Sequence, residues 1–239
     1  RYDVVKVGRY KFNKKLNLAY RLPGCKLAED VFNPETGEIM AKAGETVTEE
    51  QAVAIQDAGV NEVFVLVSDP ERGEIRHKII ANNTVNFKAV SDKNPKMFGL
   101  LPTIYYPNFR FMKQIAEECR TQKVEDVAAK YVNEINSIYY VQEVDEVEDE
   151  KPEEKKNREK RKDTRVKFVA ACKLFDALLS SDKTELDADE KKTIKPVVEK
   201  LNHKHITVDD IVASISTNID LQYGIGTIDN IDHLGNRRV

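Results

Sequence analysis

The chain has 239 residues, 33% charged and 41% hydrophobic, with a formal net charge of −3 at pH 7. No apolar run approaches the length of a membrane span, which excludes a helical membrane protein, and the length allows one or two domains with a sizeable core. Cys25, Cys119 and Cys172 lie far apart without a CxxC pair, so neither a disulfide framework nor a zinc site is expected and a reducing cytoplasmic setting is favoured.

The chain starts at Arg1 without methionine and stops at Arg237, Arg238 and Val239 just after a Gly-Asn loop signal, so both ends read as cut. The net charge averages over uneven segments. From Arg1 to Arg21 the basic residues Arg1, Lys6, Arg9, Lys11, Lys14, Lys15 and Arg21 face one acid, Asp3, with Tyr2, Tyr10 and Phe12 interleaved. Asp3 can cap a helix whose apolar face runs through Val5, Phe12 and Leu16 and leaves the lysines opposite. Such a helix is either a solvated face or a phosphate-binding patch.

Residues 25–67 read as strand, hairpin, strand, helix, strand. Pro34-Glu35-Thr36-Gly37 makes the turn, Thr48 and Gln51 are the two partners of a capping box, and Gly59 stops the helix. Alternation in IRHKII and TVNFKAV predicts two further strands, whereas the prolines bracketing LPTIYYP predict a turn. Phe109 to Cys119 suggests a turn or helix, and Val124, Val127, Ala128, Tyr131, Val132 and Ile135 fall at helical steps.

Glu143 to Arg165 is almost all charge, acidic in VDEVEDE and basic in KKNREKRK, and reads as an exposed helix held by opposite charges at four-residue spacing. The basic run is either a solvated face or a phosphate contact. Val166, Val169, Ala170 and Leu174 mark an amphipathic helix; Asp187 and Glu190 open another, in which Pro196 predicts a kink or break. Thr207 with Asp210 caps the last helix, Val208, Ile211, Val212, Ile215 and Ile219 are its expected buried stripe, and Gly224 supplies the left-handed end. The class expected is α+β.

Little here reads as catalytic. His203 and His205 would share a strand face, but no neighbouring cysteine or carboxylate pair completes a metal set. Gly224-Ile225-Gly226 follows a helix and lacks the third glycine and leading strand of a phosphate loop. The Asp229/Asp232 spacing is weak evidence for magnesium, and no local motif builds an activated nucleophile.

RYDVVKVGRYKFNKKL (Arg1 to Leu16) and ITVDDIVASISTNIDLQYGIGTIDNIDHLGNRRV (Ile206 to Val239) resemble two successive signatures of the bacterial RNA polymerase β subunit, in the right order. The resemblance implies a basic helical segment of the lobe at 1–21 and a return toward the protrusion at 206–239. Between them lies a lineage-specific insertion or expanded lobe. Within it, LAEDVFNPETGEIMAKAGETVTEEQ resembles barrel-sandwich hybrid repeats, implying a β-rich module at 22–106 followed by a helical insertion at 107–205 that contains the charged stretch 143–165.

In that family the residues matching Asp232 and Arg237 help form a pocket for a non-template-strand guanine at the downstream edge of the bubble. A carboxylate can accept from the ring N–H and amino group of an unpaired guanine, while an arginine stacks or binds phosphate. A structural loop with Asp232 capping its own backbone is the alternative. Arg9, Lys11, Lys14, Lys15 and Arg238 complete the implied nucleic-acid set. Asn230 stands where the family usually has a second acid, which argues against a local metal or charge pair.

The implied role is DNA contact during template-directed RNA synthesis in a cytoplasmic, nucleoid-associated nucleotidyltransferase. Catalytic Mg2+ would belong to another subunit, with none bound here and no catalysis by this segment alone. Implied partners are β′, α, ω, σ, DNA and a transcription factor on the insertion. A docking platform without DNA contact is the alternative for the inserted module.

Overall fold

The computed structural model describes residues 6–139, 152–203 and 205–226. In chain order these form α1 (Lys6–Leu16), α2 (Leu18–Arg21), β1 (Lys26–Leu27), β2 (Val31–Phe32), β3 (Ile39–Ala41), α3 (Glu49–Asp57), β4 (Glu62–Asp69), β5 (Gly73–Ile80) and β6 (Thr84–Asn86). They continue as α4 (Phe87–Val90), α5 (Pro95–Phe98), β7 (Thr103–Tyr105), α6 (Tyr106–Glu118), α7 (Val124–Lys130), α8 (Val132–Tyr139), α9 (Pro152–Leu179), α10 (Ala188–Leu201) and α11 (Val208–Gln222). The fold is α+β, and its strands form three small antiparallel sheets among the described residues.

The chain divides into two compact units. The first takes the residues up to Asp92, then Leu101–Tyr106, then Asn202 onward; the second takes Lys93–Leu100 and Pro107–Leu201.

In the first unit the sheet order is β1-β4-β5, with Leu27 opposite Val65 and Val65 opposite His77. Successive side chains on a strand point to opposite faces, so Val63, Val65 and Val67 of β4 enter the core. There they meet Leu18, Leu22, Leu27, Ile55 and Ile79. The β2–β3 hairpin turns where the Asn33 side chain accepts from the Glu35 N–H at 2.9 Å and Gly37 takes φ +72°. Helix α3 begins with the expected reciprocal pair, Thr48 accepting from the Gln51 N–H and Gln51 from the Thr48 N–H. Gln56, buried on this helix, accepts from the Leu18 N–H at 2.5 Å and donates to the Thr84 carbonyl, so one amide ties α2, α3 and β6 together.

Two local expectations fail in this unit. In TVNFKAV the strand lasts only through Asn86, whose side chain accepts from the Lys88 N–H and starts a helical turn that buries Phe87. LPTIYYP contains a strand, because Thr103–Tyr105 pairs with β6, Val85 opposite Ile104. Pro102 precedes the paired residues, and Pro107 falls in the first turn of α6, where no intrahelical N–H is needed.

The larger departure is α11. Its capping box forms as expected, and Gly224 has φ +74° at its end. The inward face is different: Asp210, Ala213, Ser216, Thr217 and Asp220 are buried, while Val208, Ile211, Val212, Ile215 and Ile219 are 76%, 53%, 40%, 56% and 39% exposed.

The second unit is helical. Its core joins Met112 and Ile115 of α6, Val127 of α7, Ile135 of α8, Phe168, Cys172 and Phe175 of α9, and Ile194 and Val197 of α10. Phe98 meets Phe175 edge-on at 5.2 Å, and Tyr139 meets Phe168 at 5.6 Å. The helical pattern from Val124 to Ile135 is split at Tyr131, whose φ −104° and ψ 35° leave the helical region. Most of the described side chains in the first half of α9 are exposed, Arg165 being buried, whereas Phe168, Val169, Ala171, Cys172, Phe175 and Leu178 line its buried second half. Helix α10 runs through Pro196 without a break. The acidic run at 143–151 lies outside the described residues.

Candidate nucleic-acid interface and the buried ion pairs beneath it

Helix α1 carries Lys11, Lys14 and Lys15, which three- and four-residue spacing places on one face. Lys14 is exposed and the other two are half-buried, a geometry in which an alkyl stem packs while the ammonium reaches water.

Arg9 differs from the expected surface cation. It is 3% exposed, and its guanidinium grips Asp210 of α11 through both nitrogens, Nη1 to Oδ2 at 2.5 Å and Nη2 to Oδ1 at 3.1 Å. Planar, two-toothed pairing of this kind suits arginine, since its fork matches the carboxylate. Asn82 donates to Asp210 Oδ1 and to Asn13 Oδ1, each at 3.0 Å, and the Thr207 N–H donates to Asp210 Oδ2 at 2.9 Å. Burial alone would push the Asp210 carboxyl up. Hydrogen bonds from Arg9, Asn82 and Thr207, with the charge of Arg9, outweigh it and hold the group below its ordinary value.

A second pair lies three turns along α11. Arg21 Nη1 donates to Asp220 Oδ2 at 2.7 Å, while Nη2 donates to the carbonyls of Leu16 at 2.7 Å and Ile80 at 2.6 Å. His77 Nε2 sits 2.6 Å from the other Asp220 oxygen, and Ser216 accepts from the Ile80 N–H at 3.0 Å. Arg21 is 1% exposed, and burial lowers its pKa against the opposing pull of Asp220. Breaking either pair would leave an uncompensated interior charge, so these contacts lock α1, α2 and α11 together with β5.

The two stretches that carried the resemblance therefore meet in space, across 201 residues for Arg9 and Asp210. Sequence reading found Asp210 as a cap and Arg9 as a cation, and missed that they are partners. It also missed Asn13, His77, Asn82 and Ser216. The available signal was the second stripe of α11, polar and small at 210, 213, 216, 217 and 220, with the same helical period as the apolar one.

Asp232, Arg237 and Arg238 lie outside the described residues. Among the described residues, no group of three or more His, Cys, Asp or Glu is placed to hold a metal. His203 packs its ring edge-on against Tyr105 at 4.4 Å. Burial pushes the Cys25 thiol up to about 11, helped by Asp220, and also raises Cys119 and Cys172, so none of the three is a thiolate nucleophile at neutral pH. What the described geometry offers is a lysine face on α1, mounted on buried ion pairs.

Residues 125–239 match the family described as RNA polymerase Rpb2, domain 2. The whole chain aligns with the DNA-directed RNA polymerase subunit beta of Clostridioides difficile at 34% identity and with that of Caldicellulosiruptor bescii at 34%, each time covering 14% of the relative. The same subunit of Clostridium acetobutylicum is 33% identical across the whole chain, which covers 13% of it. The alignments include the residues between the two end signatures, so these relatives share that stretch. Spanning about 14% of the length of such relatives, the chain belongs to the RNA polymerase β-subunit family.

Proposed function

We propose that this chain acts within DNA-directed RNA polymerase, holding downstream DNA and the edge of the transcription bubble during templated RNA synthesis from ribonucleoside triphosphates. The observation that carries this is the alignment of all 239 residues with β subunits at 34% identity. In this reading Lys11, Lys14 and Lys15 contact phosphates, and Arg9 acts beneath them as the anchor of their helix. Asp232 accepts hydrogen bonds from an unpaired non-template guanine, Arg237 stacks on it or binds its phosphate, and Arg238 adds a phosphate contact.

The nucleotidyl transfer itself falls to another subunit, which holds the catalytic Mg2+. The partners are β′, α, ω, σ and DNA, and the setting is the bacterial cytoplasm at the nucleoid. The stretches 22–106 and 107–205 are the inserted modules between two lobe segments.

The test is a whole polymerase carrying Asp232→Ala, assayed for base preference at the downstream edge of the bubble. Loss of on the order of 1–3 kcal/mol of guanine preference is expected, the discrimination typical of one good base contact. Unchanged preference removes Asp232 from the pocket.

A second reading makes the β-rich module a docking platform for a transcription factor. Phe32 and Ile39, paired across the β2–β3 hairpin and each 51% exposed, favour it. Factor binding there would respond little to salt and would be lost in Phe32→Ser, whereas phosphate contacts weaken steeply as salt rises.

A further inference from the structure

Helix α11 faces its own unit with charge and faces water with β-branched hydrocarbon. The orientation is imposed by Asp210 and Asp220, which are 0% exposed and held by Arg9 and Arg21. Turning the helix to bury its apolar stripe would pull both carboxylates away from buried guanidiniums. The stripe is therefore presented outward by strong interactions.

Its composition narrows what can cover it. VDDIVASISTNIDLQ contains no lysine or arginine, so this face cannot neutralise phosphates. Asp209 accepts from the Tyr105 hydroxyl at 2.6 Å, and the residues beside the stripe, Ser214, Asn218 and Gln222, are uncharged. Ile211, Ile215 and Ile219 stand at four-residue steps and form one ridge; Val208 and Val212 form a second. Two such ridges with a groove between them accept the side chains of another helix. Ile206, 47% exposed, extends the apolar surface beyond the helix start.

The source of that helix follows from length. This chain covers 14% of relatives that contain all of it, so the greater part of the same polypeptide lies outside these 239 residues. A segment of the same polypeptide meets α11 in an intramolecular event, without the association cost that a free partner bears. We infer that the α11 stripe seats an amphipathic helix from the part of the β polypeptide outside these 239 residues. The inference rests on family membership and is independent of any DNA contact.

The experiment uses the full-length β subunit in purified polymerase, with the photoreactive residue p-benzoylphenylalanine at Ile215 and cross-linked peptides identified by mass. An adduct within β, to a helical segment outside these residues, is the expected result. Adducts to another subunit, a bound factor or a second polymerase, or no adduct at all, would overturn it. Should the bulky probe prevent assembly, Ile215→Cys serves instead. Its maleimide labelling in intact polymerase should run on the order of tenfold or more slower than at Glu71→Cys in the exposed β4–β5 turn, because a covered site reacts only through local opening. Equal rates would mean that the stripe is bare.

Discussion

At the scale of single residues, the pairing of Arg9 with Asp210 is one of two buried arginine–aspartate contacts that hold α11. Both side chains are at most 4% exposed, and the carboxylate takes four hydrogen bonds, from both Arg9 nitrogens, Asn82 and the Thr207 N–H. Arg9→Ala leaves a buried carboxylate without its counter-charge, and about 3–5 kcal/mol of stability should be lost in urea unfolding. Arg9→Lys should also destabilise, since an ammonium cannot reproduce the fork. The same site sets a pH dependence. The Asp210 pKa is depressed from its ordinary 3.8, so the unfolded chain binds its proton first on acidification. The stabilisation is complete above that ordinary value and disappears as pH falls through the lower folded value. Asp210→Asn should remove this part of the acid sensitivity, and unfolding series across the acid range in both proteins would show it.

At the scale of elements, α3 demonstrates how a terminus is specified. Gly59 has φ +82° just past the helix, and a Cβ there would lie 2.1 Å from Cε1 of Tyr106, so glycine is demanded by conformation and by space. Gly59→Ala should destabilise by on the order of 1–3 kcal/mol, combining backbone strain with displacement of the Tyr106 ring, and thermal unfolding would measure it. This end and the capping boxes at Thr48 and Thr207 were legible in the sequence because each is built from residues close together along the chain. The inward face of α11 was not. Local periodicity assigns Ile211, Ile215 and Ile219 to an interior, since hydrocarbon is normally what a helix buries. Asp210 and Asp220 win the contest through Arg9 and Arg21, partners about two hundred residues away that no window on the helix contains. The β6–β7 pair was hidden differently. Three-residue strands have too few alternating positions to be read, and Asn86 looks like part of a strand until it caps the turn that follows.

At the scale of the whole molecule, a net charge of −3 says less than the placement of charge. Residues 143–151 concentrate acid outside the described part, and α9 then carries KKNREKRK and, beyond it, a Lys167–Asp163 pair that is more than 70% exposed on both sides and contributes little. Helix α1 concentrates base on one face, with its remaining arginine neutralised inside. Membership in the β-subunit family was readable from the two ends, and Arg9 and Asp210, one in each stretch, are partners in the fold. The chain passes between its two units at Asp92, Leu100, Tyr106 and Leu201, and segments such as 101–106 are too short to announce a core of their own. The uneven placement of charge leads to a measurement on the assembled enzyme. If Lys11, Lys14 and Lys15 each neutralise a phosphate, replacing all three by alanine should flatten the plot of log affinity for downstream DNA against log salt by up to about 2.7, at about 0.9 per contact. Arg9→Ala, which removes an interior charge, should leave that slope unchanged in whatever fraction still folds. Filter binding of purified polymerase across a salt series distinguishes the two, and an unaltered slope in the triple variant would place the α1 lysines in solvent rather than on DNA.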